Sequence, residues 1–281
     1  MCSYLNLCKL LVAANLKIES NFKVSLMDDT TEDWVREGCQ NCQENKALGF
    51  DFTMAFQPII NCKTQSIFGY EALVRGLNNE SAYSIISQIN DENRYVFDQQ
   101  CRIKAIALAS ELKLDSMLSI NFLPNAIYKP ELCIRTTLEA AKKYNFPTDH
   151  IMFEFTEVEK IEDAKHVERI VEYYQSLGFK TAVDDFGSGY AGLNLLADFQ
   201  TDIIKLDMEL IRDIGSSNAR QSIITHCLNM FKDLKITPLA EGIETYEEYV
   251  WLKNAGVELM QGYLFAKPGF ESLPIVDFSS Y

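Results

Sequence analysis

Short apolar runs alternate with longer amphipathic stretches along most of the chain. From residue 54 onward the runs are rich in Val, Ile and Phe, and the stretches between them carry apolar residues at helical spacing. The strand candidates are residues 54–60, 68–74, 117–122, 151–155, 180–184, 203–206, 238–240 and 259–261. Strands that alternate with helices in this way predict an α/β fold with a parallel sheet.

Eight strands are enough to close a barrel, and residues 50–275 have about the length of a (β/α)8 barrel. An open doubly wound sheet gives the same pattern up to the point of closure, so it stays an alternative. Among the intervening stretches, residues 161–177 carry apolar positions on one helical face, and the pattern stops at Gly178. We interpret that face as the ordinary packing surface of a helix.

Composition changes near residue 50, which predicts three parts. These are an N-terminal extension over 1–49, the barrel over 50–275 and a C-terminal tail over 276–281. The extension is irregular apart from one short helix, for which Thr30 or Thr31 is the predicted N-cap.

Cysteine usage does not indicate a disulfide framework, because the eight cysteines are spread through apolar surroundings in a long chain. Cys39 and Cys42 have the spacing of a redox or metal motif, but no second Cys or His pair lies nearby at ligand spacing. We interpret them as a structural or incidental thiol pair, with metal or redox chemistry as the alternative.

Net charge excludes some partners. The chain has 40 acidic and 26 basic residues, a formal charge of −14, which disfavours binding to a DNA or RNA polymer. No apolar run approaches the roughly 20 residues that span a bilayer, and the first residues lack the pattern of a secretory signal. We therefore expect a cytoplasmic protein without a membrane anchor.

Polar side chains follow the apolar residues of seven successive strand candidates. If the strands are parallel and close into a barrel, these side chains share one rim, where the active sites of such barrels lie. They are Glu71, Asn121, Glu154, Asp184, Asp185, Lys205, Glu241 and Gln261.

Five carboxylates on one rim repel each other, and Lys205 alone cannot neutralise them, so cations are expected to complete the site. All the ligand candidates are hard oxygens, which favours Mg²⁺ or Mn²⁺ over Zn²⁺. Because Asp184 and Asp185 are adjacent, one carboxylate can bridge two ions while its neighbour holds the second. Phosphoester hydrolysis is the reaction class that suits this chemistry.

A different motif overlaps this region. Residues 187–192 read G-x-G-x-x-G, and Asp207 lies 20 residues after Gly187, as in dinucleotide-binding folds. A nicotinamide-dependent oxidoreductase is therefore a competing hypothesis. Against it, Asp184 and Asp185 would place negative charge beside the pyrophosphate. We interpret the glycines as a tight, mobile loop beside the metals.

At these residues the sequence resembles the EAL-domain phosphodiesterases, which hydrolyse cyclic di-GMP. The resemblance runs from about Phe56 to Pro268 and includes the tripeptide that names the family. The motifs are Gln57-Pro58-Ile59, Glu71-Ala72-Leu73-Val74-Arg75, Ser119-Ile120-Asn121, Glu154-Phe155-Thr156-Glu157, Asp184-Asp185-Phe186-Gly187, Lys205-Leu206-Asp207, Glu241-Gly242-Ile243-Glu244 and Gln261-Gly262-Tyr263.

The resemblance implies a modified TIM barrel with one antiparallel strand, two metal ions per active site and linear pGpG as the product. The implied ligands of the first ion are Glu71, Asn121, Glu154 and Asp184, and those of the second are Asp184, Asp185 and Glu241. Lys205 and Gln261 would position and help to activate the attacking water, and Glu71 and Glu241 also count as catalytic.

Further roles follow from the same resemblance. Arg75, Gln57 and Leu73 would bind substrate, with Arg75 on a phosphate and Gln57 near a guanine. Glu157 and Glu244 would brace loops, and the loop that begins at Asp184 commonly links such sites to a homodimer interface. Ca²⁺ is expected to inhibit, because its looser coordination misplaces the water. The alternative within the family is a catalytically weak receptor or protein-interaction module.

Overall fold

A computed structural model describes residues 48–127, 129–156, 164–188 and 192–281. The predicted helix after Thr30 or Thr31, the Cys39/Cys42 pair and Glu157 lie outside the described residues. The division into extension, barrel and tail stays a prediction.

Eight strands form a closed barrel, and each lies within two residues of a predicted strand. A ninth, short strand was not predicted. The strands are β1 (Thr53–Asn61), β2 (Ser66–Arg75), β3 (Met117–Asn121), β4 (Ile151–Thr156), β5 (Lys180–Phe186), β6 (Ile203–Leu206), β7 (Thr237–Ala240), β8 (Leu259–Gln261) and β9 (Gly269–Phe270).

Strand direction has one exception. β2 to β8 pair with their neighbours in chain order and in parallel, whereas β1 pairs antiparallel with both β2 and β8 and so closes the barrel. β9 adds to β1 outside this ring. The barrel is therefore the modified form that the resemblance implies, and the open sheet is excluded.

Helices connect the parallel strands. They are α1 (Ala82–Ile86), α2 (Arg94–Glu111), α3 (Pro130–Cys133), α4 (Arg135–Lys143), α5 (Ala164–Ser176), α6 (Gly192–Asp198), α7 (Met208–Ile211), α8 (Asn218–Leu234) and α9 (Tyr246–Asn254). In α5, Val167, Ile170, Val171 and Tyr174 are buried, as the periodicity predicts. That helix ends where Gly178 takes a φ of +89°, a conformation that favours glycine.

The barrel interior has two layers. Six strands each contribute one buried side chain to an apolar layer, which consists of Ile59, Met152, Ala182, Ile203, Leu239 and Leu259. Side chains two residues apart on a strand point to the same face, so the residue two positions further along β4, β5, β6 and β8, or directly after the end of β7, also points inward. Those residues are Glu154, Asp184, Lys205, Glu241 and Gln261.

Candidate metal centre

Strand geometry brings the predicted polar residues together above the apolar layer, at the carboxyl ends of the parallel strands. Because β1 runs the other way, Gln57 joins the group from two positions before Ile59, and Gln57 pairs with Glu71 of β2 in the register. We call this group the polar layer: Gln57, Glu71, Asn121, Glu154, Asp184, Lys205, Glu241 and Gln261. Glu71 lies in the middle of β2 and not at its end, since the strand continues to Arg75.

Lys205 lies at the centre of the polar layer and is fully buried. Its Nζ atom is 2.6 Å from both Glu154 Oε2 and Glu241 Oε1. The same atom is 3.2 Å from Asp184 Oδ1 and 3.7 Å from Glu71 Oε2. One ammonium group thus contacts four carboxylates from four strands.

Amide side chains organise the Glu71 side of the layer. Asn121 Nδ2 donates to Glu71 Oε1 at 2.9 Å, and Gln261 Nε2 donates to Glu71 Oε2 at 2.8 Å. Gln261 Nε2 also lies 3.3 Å from Gln57 Oε1, and Gln57 Nε2 donates to the Ala266 carbonyl at 3.2 Å. On the other side, Ser119 Oγ donates to Glu154.

Asp184 and Asp185 both reach the site although they are neighbours on β5. Adjacent residues of a regular strand point to opposite faces. Here Asp185 has a left-handed φ of +55°, and the pairing of β5 with β6 is irregular between Val183 and Phe186. This local distortion redirects the Asp185 side chain towards the site.

Two carboxylate clusters share Asp184. Oxygen atoms of Glu71, Glu154 and Asp184 lie within 4.8 Å of one another, and the same holds for Asp184, Asp185 and Glu241. These two groups contain every carboxylate that the resemblance implies as a metal ligand. Asn121, the predicted amide ligand, contacts the first cluster through Glu71.

Burial makes two of the carboxylates, those of Glu154 and Glu241, difficult to ionise. It raises the pKa of Glu154 to about 8, and Glu71 and Asp184 add to this effect while Lys205 opposes it. Burial and the Asp184 charge raise the pKa of Glu241 well above its usual range. Burial also disfavours the Lys205 ammonium, but Asp184, Glu154, Glu241 and Glu71 outweigh that penalty and raise its pKa.

The residues present fit a pair of divalent cations. If the five clustered carboxylates are ionised, Lys205 leaves four negative charges uncompensated, which equals the charge of two divalent ions. The buried Gln261 Oε1 also has no hydrogen-bond partner among the described residues. Hard oxygen donors at this spacing suit Mg²⁺ or Mn²⁺.

The predicted substrate-binding residues extend from the polar layer along β2. Glu71, Leu73 and Arg75 are two residues apart and share one face of the strand. Leu73 and Arg75 are both partly exposed, and Arg75 Nη1 donates to the Val74 carbonyl at 2.7 Å. A ligand that contacts Arg75 would therefore lie beside the Glu71 cluster.

Glu244 lies in the loop after β7 and contacts Arg212, which follows α7, while Glu157 is not described. Glu244 Oε1 is 3.4 Å from Arg212 Nη2, and its backbone N–H donates to Glu248. Glu248 is buried, accepts from Arg212 at 3.1 Å and completes a capping box with Thr245. Glu248 is the more central brace, and the spacing of Thr245 and Glu248 in the sequence was a usable signal for it.

Asp207 is a site residue that the sequence reasoning did not select. It is buried, and its Oδ1 atom accepts from the Glu209 N–H at 2.8 Å, while its buried Oδ2 atom has no hydrogen-bond partner among the described residues. Burial raises the pKa of Asp207 above its ordinary value. In the sequence, its position two residues after Lys205 was the feature that could have identified Asp207 as a site residue.

The first glycine of the motif, Gly187, has a packing explanation. Gly187 has a φ of +101°, and a Cβ atom there would lie 2.2 Å from Leu210 Cδ1. Glycine is thus required by backbone conformation and by close approach to α7. This agrees with a tight loop beside Asp184 and Asp185.

Comparisons with known proteins agree with this geometry. The family model described as EAL domain matches residues 39–268. The chain belongs to the EAL domain family. Among solved structures, a standalone versatile EAL protein from Vibrio cholerae O395, in a c-di-GMP-bound form, is 71% identical with a TM-score of 0.81. That similarity covers 83% of this EAL chain and 99% of the Vibrio chain.

A second EAL-type structure contains metal. The manganese and cyclic di-GMP complex of BlrP1 from Klebsiella pneumoniae is 36% identical with a TM-score of 0.74, over 78% of this chain and 56% of that one. The same protein also forms a calcium and cyclic di-GMP complex.

Two relatives from Escherichia coli K12 have different descriptions. BluF, a blue light- and temperature-regulated antirepressor, is 34% identical over 79% of this EAL chain and 55% of BluF. PdeN, a probable cyclic di-GMP phosphodiesterase, is 26% identical over 81% of this chain and 44% of PdeN. The chain therefore spans about half the length of these relatives. No helix among its described residues is long and apolar enough to cross a membrane.

Proposed function

We propose that this EAL chain hydrolyses cyclic di-GMP to linear pGpG in a reaction that depends on two divalent cations. The observation that carries the proposal is the pair of carboxylate clusters that share Asp184 around the buried Lys205. The descriptions of PdeN and of the BlrP1 complex support the substrate class.

Each ion has a set of ligands. The first would be held by Glu71, Asn121, Glu154 and Asp184, and the second by Asp184, Asp185 and Glu241. Mg²⁺ or Mn²⁺ is proposed, because all donors are oxygens. When bound, the ions would draw charge from the phosphate and lower the pKa of the attacking water.

Lys205 acts through its charge in this proposal. Its raised pKa keeps it an ammonium, so it donates hydrogen bonds and stabilises negative charge at the reacting phosphate. Gln261 has an unpaired Oε1 atom that can accept a hydrogen bond from the attacking water. Glu71 and Glu241 hold Lys205 and Gln261 in these positions.

The reaction opens one phosphodiester bond of the ring. The water oxygen bonds to phosphorus, the bond from phosphorus to the ribose O3′ breaks, and O3′ leaves with a proton. Arg75 grips a phosphate with its guanidinium group, and Gln57 and Leu73 contact the nucleotide from β1 and β2.

The test is conversion of cyclic di-GMP by the purified protein with Mg²⁺ or Mn²⁺, followed by chromatography. Appearance of pGpG with the wild type, its loss with Glu71→Ala and its persistence with the surface variant Asp233→Ala are expected. Binding without turnover would overturn the enzymatic proposal.

Binding of cyclic di-GMP without turnover is the result expected for the alternative function, a receptor or protein-interaction module. The observation that favours it is the similarity to BluF, which is described as an antirepressor. Against it, every proposed metal ligand is present in the chain. A saturable NADH fluorescence titration would instead favour the oxidoreductase hypothesis.

Two further proposals follow from the family. Two copies are proposed to pair near the segment that begins at Asp184, and light scattering should then report a dimer. Ca²⁺ is proposed to permit binding but inhibit turnover, since it takes longer and looser coordination. Turnover in Ca²⁺ equal to that in Mg²⁺ would contradict this geometry.

A further inference from the structure

The segment over residues 269–281, here called the C-terminal segment, packs across strands that carry site residues. It lies beyond residue 268, where the match to the EAL model ends. β9 pairs with Ala55 and Phe56 of β1, and the Tyr70 hydroxyl donates to the Pro274 carbonyl at 2.9 Å. Phe56 directly precedes Gln57, and Tyr70 directly precedes Glu71, so both contacts lie next to predicted site residues.

Tyr281 anchors the end of this segment to the turn that follows β8. Its ring lies 5.2 Å from Phe265 and 5.8 Å from Tyr249, both in edge-on arrangements. Its hydroxyl donates to the Leu264 carbonyl. Aromatic edge contacts and a hydrogen bond together fix both the position and the rotation of this turn.

The turn over residues 262–266 is also held by buried side chains, among them Phe265, and by its backbone. Leu264 N–H donates to the Ile243 carbonyl at 3.0 Å, and Ala266 N–H donates to the Gly262 carbonyl at 3.2 Å. A Cβ atom at Gly262 would lie 2.0 Å from the Ile243 oxygen, so the turn packs directly on the loop after β7.

One group of the turn faces the site. The Ala266 carbonyl accepts from Gln57 Nε2 at 3.2 Å, which decides the direction of the Gln57 amide oxygen. That oxygen accepts from Gln261 Nε2 at 3.3 Å, and Gln261 donates in turn to Glu71. A displacement of the turn would therefore rotate an amide that is proposed to contact guanine.

We propose that Tyr281 is a positioning residue for cyclic di-GMP binding. It fixes the 262–266 turn so that the Ala266 carbonyl orients Gln57. This inference rests on the proposed function, because it takes Gln57 as a substrate-binding residue. It goes beyond that function in assigning a role in ligand affinity to a residue outside the matched family region.

The test compares Tyr281→Phe with the wild type by calorimetric titration of cyclic di-GMP in Ca²⁺. The variant keeps the ring and loses only the hydroxyl, so it should stay folded. We expect its Kd to rise about three- to ten-fold, the range for loss of one hydrogen bond. Tyr173→Phe, at a half-buried tyrosine of α5, is the matched control and should leave the Kd unchanged.

A double-mutant cycle separates positioning from general stability. In a Gln57→Ala background, Tyr281→Phe should change the Kd by less than about two-fold, because the side chain through which it acts is gone. Hydrogen exchange of residues 262–266 should be faster in Tyr281→Phe than in the wild type.

Distinct results would overturn the inference or its basis. A Tyr281→Phe protein with a lower melting temperature but an unchanged Kd would show a purely structural role. Effects of Tyr281→Phe and Gln57→Ala that simply multiply would also overturn the inference. If the wild type neither binds nor hydrolyses cyclic di-GMP, the proposed function is wrong. If the wild type turns over normally but Tyr281→Phe has an unchanged Kd, only the inference about Tyr281 is wrong.

Discussion

The apolar and polar layers of the barrel come from the same strands but differ in what they need to be stable. The apolar layer is satisfied by its own packing, since burial of Ile59, Met152 and Leu239 removes them from water. Two residues further along β4 and β6, Glu154 and Lys205 are as deeply buried, and burial disfavours their charges. If its carboxylates are ionised, the polar layer holds more negative charge than Lys205 balances, and the proposed metal ions would supply the missing positive charge.

The largest expected effect is the loss of activity on removing the carboxylate common to both clusters. Asp184→Ala should lower kcat by at least about 1,000-fold, since one electrostatic group at a reacting centre contributes about 10²- to 10³-fold and Asp184 serves two ions. Its melting temperature without metal should not fall, because a repelling charge is removed. Near-normal turnover of Asp184→Ala would show that the clusters do not carry the reaction; Asp233→Ala is the surface control.

A substitution in the apolar layer should reduce stability far more than activity. Leu239→Ala should reduce the free energy of unfolding by about 2–5 kcal/mol, the usual cost of a large-to-small change in a core. Turnover per folded molecule should change far less than in Asp184→Ala. Urea unfolding measures the first effect, and Leu234→Ala, at a leucine of α8 that is 37% exposed, is the control.

The polar layer should also make stability depend on pH when divalent ions are removed. Glu154 has a folded-state pKa of about 8, above its ordinary value, so the folded protein binds more protons than the unfolded chain. Stability is then fully present below about pH 4.5 and is lost as the pH rises towards 8. We expect a slope of up to about 1.4 kcal/mol per pH unit in EDTA.

Urea unfolding between pH 5 and pH 8 measures this slope. Glu154→Gln should flatten it, because the amide does not titrate, and added Mg²⁺ should stabilise the protein more at pH 8 than at pH 6. Equal slopes in the wild type and in Glu154→Gln would contradict the assignment.

The smallest effect is expected at Glu244, in the loop after β7 and outside the polar layer. Glu244 is partly exposed, so its ion pair with Arg212 should contribute less than about 1 kcal/mol. Glu248→Gln should cost at least about 1.5 kcal/mol, because that buried carboxylate accepts three hydrogen bonds involving Arg212, Glu244 and Thr245. Thermal unfolding of Glu244→Gln and Glu248→Gln tests which glutamate braces the loop. Equal losses of stability in the two variants would contradict this assignment.

Much of the difference between the apolar and polar layers could be predicted from the sequence, because it follows the two-residue periodicity of the strands. Met152 and Glu154 are two residues apart, as are Ile203 and Lys205, so an inward apolar residue implies an inward polar one. The strand candidates therefore located the polar layer, whereas the apolar layer beneath it was not predicted. The alternation of apolar and polar residues does not encode strand direction. The expectation of one antiparallel strand therefore came only from the family resemblance.

The distorted backbone and the long-range contacts at several positions were not readable, although Asp185 was predicted as a metal ligand and Asp207 and Glu248 each had a local feature in the sequence. Asp185 reaches the site through a left-handed φ, and that conformation leaves no mark in the periodicity. Asp207 and Glu248 act through contacts between successive loops. Tyr281 approaches the turn after β8 only once the C-terminal segment has folded across β1, and no local pattern specifies that path.

The most direct test of the central claim is an anomalous diffraction measurement on crystals grown with Mn²⁺. Two manganese peaks are expected, about 3.5–4 Å apart, with Asp184 contacting both. One should also contact Glu71 and Glu154, and the other Asp185 and Glu241. An active protein whose crystals show no manganese between Glu154 and Asp184 would contradict the account.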